Sequence, residues 1–156
     1  MTSPSQARNS IKKCLKTILD PKPTATEINQ LWDYFDSSCA YCGIHIDRVS
    51  RTGHKDHLVA QSEGGLNGLS NLILSCSICN GDEKLESDWQ QFLKMKCTDN
   101  SELFDQRRKK ILGWIETNGG RERISEQEQT LVDVAFNQIN AVFSEQVEDL
   151  RRHRDA

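Results

Sequence analysis

Apolar residues recur at steps of three and four over most of the chain, and the exception is a central stretch where that rhythm stops. In SIKKCLKTIL, residues 10 to 19, Ile11, Cys14, Leu15 and Ile18 share one face and lysines hold the other, which predicts an amphipathic helix. Pro21 and Pro23 end it. Thr24 followed by Glu27 predicts a capping box that opens a second helix to about Phe35, with Leu31, Trp32 and Phe35 on its buried face. Between Cys39 and Cys79 helical periodicity is absent. HKDHLVA and LILSC instead read as two short strands joined by QSEGGLNGLSN, a loop rich in Gly, Ser and Asn, and so as an irregular hairpin. Helical spacing resumes with Leu85, Trp89, Phe92 and Leu93.

Beyond Thr98 the pattern is wholly helical. Leu103, Ile111, Leu112 and Ile115 mark one helix that stops at Asn118, Gly119 and Gly120, and a Ser125/Glu128 capping box opens another. That last helix carries Val132, Phe136, Ile139, Phe143, Val147 and Leu150 on a stripe that must be covered. The expected cover is the 101 to 117 helix, and near-heptad spacing gives the alternative of a homodimer or a protein partner. The fold class expected is α+β: helices over 1–37, a small ββα core over 38–97, and a helical region over 98–156 that packs on the core or forms a partner surface.

Composition changes this picture little, with 36% hydrophobic and 28% charged residues. No apolar run approaches the roughly 18 to 20 residues that span a bilayer, and the N-terminus has no apolar leader core, so a cytoplasmic location is expected. Charge matters more. A net charge of −3 argues against a free-standing non-specific nucleic-acid binder, so affinity for DNA would have to come from local basic groups. Arg48, Arg51 and Lys55 adjoin the central stretch and are the candidates, whereas Arg107 to Lys110 and Arg151 to Arg154 read as solvated helix faces.

Four of the six cysteines fall in two Cys-x-x-Cys pairs, Cys39 with Cys42 and Cys76 with Cys79, which in a chain read as intracellular points to metal rather than disulfides. Four thiolates satisfy tetrahedral Zn²⁺ with no open position, so the zinc expected here is structural. Cys14 and Cys97 are expected to act as small buried hydrophobes. The groups between the pairs are different chemically. Asp56, His57, Asn71 and Asn80 offer oxygen and imidazole, suited to a hard divalent cation and to proton transfer. Hydrolysis of a phosphodiester needs a base for water and a cation for the developing charge. His57 is the candidate base, Asp56 and Asn80 the ligands to Mg²⁺ or Mn²⁺, and Asn71 the group that orients the His57 ring. Adjacent strand residues point to opposite faces, so Asp56 and His57 address one substrate only if the strand bends or ends there. His54 shares the Asp56 face and reads equally as a site residue or an edge-exposed one, while Asn67 reads as a turn residue.

The order DH, then NL, then the Asn of CSICN, with CAYC upstream, resembles the HNH nuclease family over about residues 32 to 93. The resemblance implies a ββα-metal, or His-Me, finger in its zinc-stapled variant, with Asn80 where the last His of the name often stands. It implies metal-dependent cleavage of DNA that leaves 5′-phosphate and 3′-hydroxyl ends. Ala60 stands where many relatives have proline, and Lys84 lies four rather than three residues beyond Asn80, reading either as a contact to a phosphate or, in preference, as part of a solvated helix turn. Two alternatives remain open: a zinc-stapled DNA-binding or protein-interaction module without catalysis, and a nuclease subunit active only inside a defence or phage complex.

Overall fold

The structure, a computed structural model, describes residues 3–120 and 124–156. Its elements run α1 (Pro4–Leu19), α2 (Ala25–Tyr34), β1 (Gly53–His57), β2 (Leu72–Cys76), α3 (Trp89–Lys96), α4 (Ser101–Asn118) and α5 (Glu126–Arg154). Helices with one small antiparallel sheet make this an α+β protein. They fall into two compact units, Lys22–Arg123 and Met1–Pro21 with Ile124–Ala156.

Both expected capping boxes are present. Thr24 and Ser125 accept from the amides of Glu27 and Glu128, whose carboxylates reach back to the cap amides. A third, between Ser3 and Gln6 with Pro4 in the first turn, starts α1 earlier than its apolar stripe suggests.

In the larger unit, β1 and β2 pair antiparallel with Asp56 opposite Ile73 and His57 opposite Leu72. Every residue of β2 is buried, so the hairpin is the floor of the core. Leu31 and Phe35 of α2, Phe92 and Leu93 of α3, and Ile111 and Trp114 of α4 pack in that core. The strand expected to run on through Ala60 ends at His57, where the chain turns into the loop. The helix read from the spacing at Leu85 also starts late. Ile78–Glu83 forms a π-helical turn, Leu85 takes a positive φ of 50° and is exposed, and α3 starts only when Asp88 caps it.

The smaller unit is an antiparallel pair of helices. Arg8 of α1 bonds Asn140 and Ser144 of α5, while Lys12, one turn on, pairs with Asp133. Phe136 and Phe143 lie under Lys12 and Arg8. Within this unit α1 packs on the Val132, Phe136 and Phe143 part of the α5 stripe, with the cationic ends of Lys12 and Arg8 over the two rings, while Ile139 and Leu150 stay exposed. Cys14, expected inside, is exposed.

Candidate active site

The Cys-x-x-Cys pairs converge. Cys39 and Cys42 stand on a turn closed by the Gly43 amide on the Cys39 carbonyl at 2.8 Å, and Gly43 takes the left-handed φ of 76° that this turn requires. Cys76 ends β2 and Cys79 is the second residue of the π turn. The four Sγ atoms lie within 4.8 Å of one another, with Cys42 and Cys76 at 3.8 Å. Tetrahedral Zn–S bonds of about 2.3 Å place sulfurs about 3.8 Å apart, so this donor set fits Zn²⁺ in kind and in spacing.

Protonation agrees with that fit. Burial and then the nearby Cys39 sulfur push the Cys42 thiol up to about 11, and burial with Cys39 and Cys42 drives Cys79 far higher. Cys39 goes the other way: burial opposes its thiolate, but main-chain amides of Cys42, Cys76 and Tyr41 outweigh burial. Four sulfurs this close cannot all ionise without a cation among them.

Arg107 braces the turn from α4. Its guanidinium donates to the Tyr41 carbonyl at 2.6 Å and to that of Cys42 at 2.9 Å. A Cβ on Gly43 would stand 2.5 Å from that guanidinium, a second reason for glycine there. The solvated face expected for Arg107 is thus corrected, since five donors on one rigid plane suit two adjacent carbonyls.

Asp56 is buried. Its Oδ2 accepts from the Tyr41 hydroxyl at 2.7 Å, and the Lys84 ammonium lies 3.4 Å from Oδ1 and 3.3 Å from Oδ2. Burial raises the Asp56 pKa, with Lys84, Tyr41 and His57 pulling against it. Lys84, read as solvated, is only 1% exposed and also donates to the His57 carbonyl at 2.9 Å. The π turn explains this reach. The Lys84 amide bonds the Cys79 carbonyl five residues back, so one extra residue is absorbed within the turn and the long spacing from Asn80 is taken up there.

Asn71, 1% exposed, spends its amide on the main chain. Oδ1 accepts from Val59 N–H at 2.8 Å, and Nδ2 donates to the carbonyls of Val59 at 3.1 Å and Leu66 at 2.8 Å. It clamps the loop after His57. The ring contact expected of Asn71 is made by Asn67, whose Oδ1 lies 3.1 Å from His57 Nε2. Trp114 secures the same loop by donating its indole N–H to the carbonyls of Leu69 and Leu72, both at 2.8 Å. Gly65 lets the loop close, since a Cβ there would stand 1.9 Å from the Val59 carbonyl oxygen.

Two clefts are lined in part by residues of β1. One, about 250 Å³, is lined by Asp56, His57, Ala60, Gln61, Ser62 and Glu86 among others. The other, about 410 Å³, is lined by Ile28, Trp32, Gly53, His54, Lys55 and Asn80. Asp56 and His57 therefore meet in one cleft, because the strand ends at His57. Asn80 lies in the other, with its Nδ2 at 3.1 Å from His54 Nδ1, so His54 is a site neighbour and not a bare edge residue. Asp56 and Asn80 are hard oxygen donors of the kind Mg²⁺ takes, and Asp56 keeps lone pairs beyond those used by Tyr41 and Lys84. Of the three basic candidates, Arg51 and Lys55 are exposed, while Arg48 is ion-paired with Asp33 and stacked 5.5 Å from the Trp32 ring.

Residues 39–85 match the HNH endonuclease family. The match begins at the first zinc-type cysteine and ends just past Lys84, so it takes in both half-sites and the hairpin between them. HNH domains bind metal and are nuclease-type domains acting on DNA, and the four clustered cysteines fit a zinc-stapled variant. No curated protein matches the chain. No helix among the described residues is long and apolar enough to cross a membrane.

Proposed function

We propose that the HNH segment makes this chain a metal-dependent DNA endonuclease in which His57 is the general base. The observation that carries the reading is the meeting of Asp56 and His57 in one cleft at the end of β1, within the matched segment. Imidazole titrates near neutral pH and can take the proton of the attacking water. Water then adds to phosphorus in line with the 3′ oxygen, the P–O3′ bond breaks, the 3′ oxygen takes a proton from solvent to leave as the hydroxyl, and the phosphate stays on the 5′ end. Asp56 would hold Mg²⁺ or Mn²⁺ beside His57, and Asn80, which lines the other cleft, would join it by turning its amide from His54. The ion when bound supplies neutralisation of charge on the phosphate and the leaving oxygen. Asn71 contributes by fixing the loop.

The test is cleavage of supercoiled plasmid with Mg²⁺ or Mn²⁺. His57→Ala should lower the rate by about 10²- to 10⁴-fold with zinc content and circular dichroism unchanged. Cleavage by that variant at the full rate would remove His57 from the chemistry.

One observation favours a second reading, a zinc-stapled DNA-binding module without catalysis: Lys84 already balances the Asp56 charge. Plasmid bound but left intact in both metals would establish that module instead.

A further inference from the structure

The His57 ring has two nitrogens, and only one can carry the hydrogen in the neutral form; a general base needs the other free. Nε2 faces Asn67 Oδ1 at 3.1 Å. That oxygen also receives the Gln61 side-chain amide at 3.0 Å, which marks it as the acceptor end of Asn67. An acceptor opposite Nε2 stabilises the hydrogen on Nε2. Nδ1 is then the nitrogen that keeps its lone pair.

The surroundings make this contact a fixed one. Asn71 bonds both main-chain groups of Val59, two residues beyond His57, and the carbonyl of Leu66, the residue before Asn67. One buried amide thus ties together the two segments that carry the ring and its acceptor. Trp114 ties down the next turn through Leu69 and Leu72. Gln61, on the short turn between them, holds Asn67 from the other side.

We propose that Asn67 is a positioning residue for the reaction: by accepting from Nε2–H it selects the His57 tautomer with an unprotonated Nδ1 and aims that nitrogen at the substrate water. The inference rests on the nuclease reading above. It assigns to Asn67 a part in proton transfer that its place in a Gly-rich turn does not suggest.

The test compares Asn67→Leu, which keeps the size and loses the acceptor, with Asn67→Asp, which keeps an acceptor on either oxygen. Two measurements are made on the zinc-loaded full chain. Nitrogen-15 NMR of the His57 ring, at a pH where its own shifts report the neutral form, gives the tautomer directly. Plasmid cleavage in Mg²⁺ gives kcat and KM separately. Wild type should carry its hydrogen on Nε2, as should Asn67→Asp. Asn67→Leu should shift toward the Nδ1–H form and lose about 10- to 100-fold in kcat with KM changed less than about twofold, the loss usual for a group that orients a functional histidine. Asn67→Asp should recover most of that rate. Amide spectra of Val59 and Leu66 check that the Asn71 clamp survives in both variants.

A wild-type ring with its hydrogen on Nδ1 overturns the inference, and so does an Asn67→Leu variant that cleaves as wild type does; either result leaves the nuclease reading standing. A wild type that does not cleave, while its ring shows the Nε2–H form lost in Asn67→Leu, brings down the nuclease reading and with it the catalytic purpose given to Asn67.

Discussion

The cysteine knuckle and the His57 cleft sit on the same hairpin and are held in opposite ways. The knuckle is made of four identical donors whose geometry a single cation would dictate, with all four sulfurs within 4.8 Å of one another and one pair at 3.8 Å. The cleft is made of unlike groups, each held by a different neighbour: Asp56 by Tyr41 and Lys84, the His57 ring by Asn67, the loop by Asn71 and Trp114. A region organised by one ion fails at once when the ion goes. One organised by several hydrogen bonds fails piecemeal, at a cost set by which bond is lost.

The largest effect should come from the knuckle. Chelation, or Cys79→Ser, should unfold the larger unit, since structural zinc contributes apparent free energies on the order of 10 kcal/mol. Loss of near-ultraviolet dichroism with release of one zinc per chain is the expected result. The metal-free protein should also respond to pH in a direction the zinc form does not share. With its thiol pushed from an ordinary 9.0 up to about 11, folded Cys42 holds its proton through a range where the unfolded chain has lost it. Its contribution to stability is therefore present below pH 9 and lost as pH rises towards 11. Any residual fold of the metal-free chain should melt more easily on that rise. A metal-free melting temperature that climbs over the same range would contradict the crowding of sulfurs described above.

The cleft should break in smaller pieces, and Lys84 is the sharpest probe. Lys84→Met removes the ammonium but leaves Asp56 buried and charged, which for a buried pair costs about 3–5 kcal/mol. The penalty needs an ionised Asp56, so it should shrink as pH falls through the point where the carboxyl takes up a proton, a point that burial has raised. Asp56→Asn added to Lys84→Met should recover most of the loss in a denaturant titration. Equal destabilisation by Lys84→Met at all pH values would mean that its packing, and not its charge, is what matters.

The same contrast decides what could be read from sequence. The Cys-x-x-Cys pairs, the capping boxes at Thr24 and Ser125, and the short apolar run that marks β2 are local signals, and the structure has each of them. The joining of Asp56 and His57 in one cleft needed only the strand to end early, which the Gly-rich loop permits. What escaped depends on chain distant in sequence or on a change of helix type. Lys84 is displaced by one residue until the π turn absorbs it, and only then does its spacing from Asn80 make sense. Arg107 and Trp114 come from α4 to carbonyls that no pattern marks as needing donors. Asn67 and Asn71 are both loop asparagines, and burial alone separates them: Asn71 is 1% exposed and bonded to main chain, whereas Asn67 is half-buried and meets the ring. The α5 stripe gave no sign that α1 would pack on part of it, because amphipathic faces are interchangeable until cations such as Arg8 and Lys12 find their aromatic partners.

The smallest expected effect lies outside both regions, on the basic rim. Arg48 spends its charge on Asp33 and its plane on Trp32, so little of it is left for a phosphate. Arg51 and Lys55 are exposed, and Lys55 also lines the wider cleft beside Asn80. If a strand crosses there, Lys55→Ala should weaken DNA binding similarly for all sequences and lower the slope of log affinity against log salt by about one, the signature of one lost phosphate contact. Arg51→Ala should do the same, and Arg48→Ala less, because removing a charge that is already paired releases fewer counterions. Binding titrations across salt concentrations with a short duplex would give the order. Arg48 emerging as the largest of the three would show that its pair with Asp33 opens on binding, and the rim would then be a surface that rearranges to meet DNA.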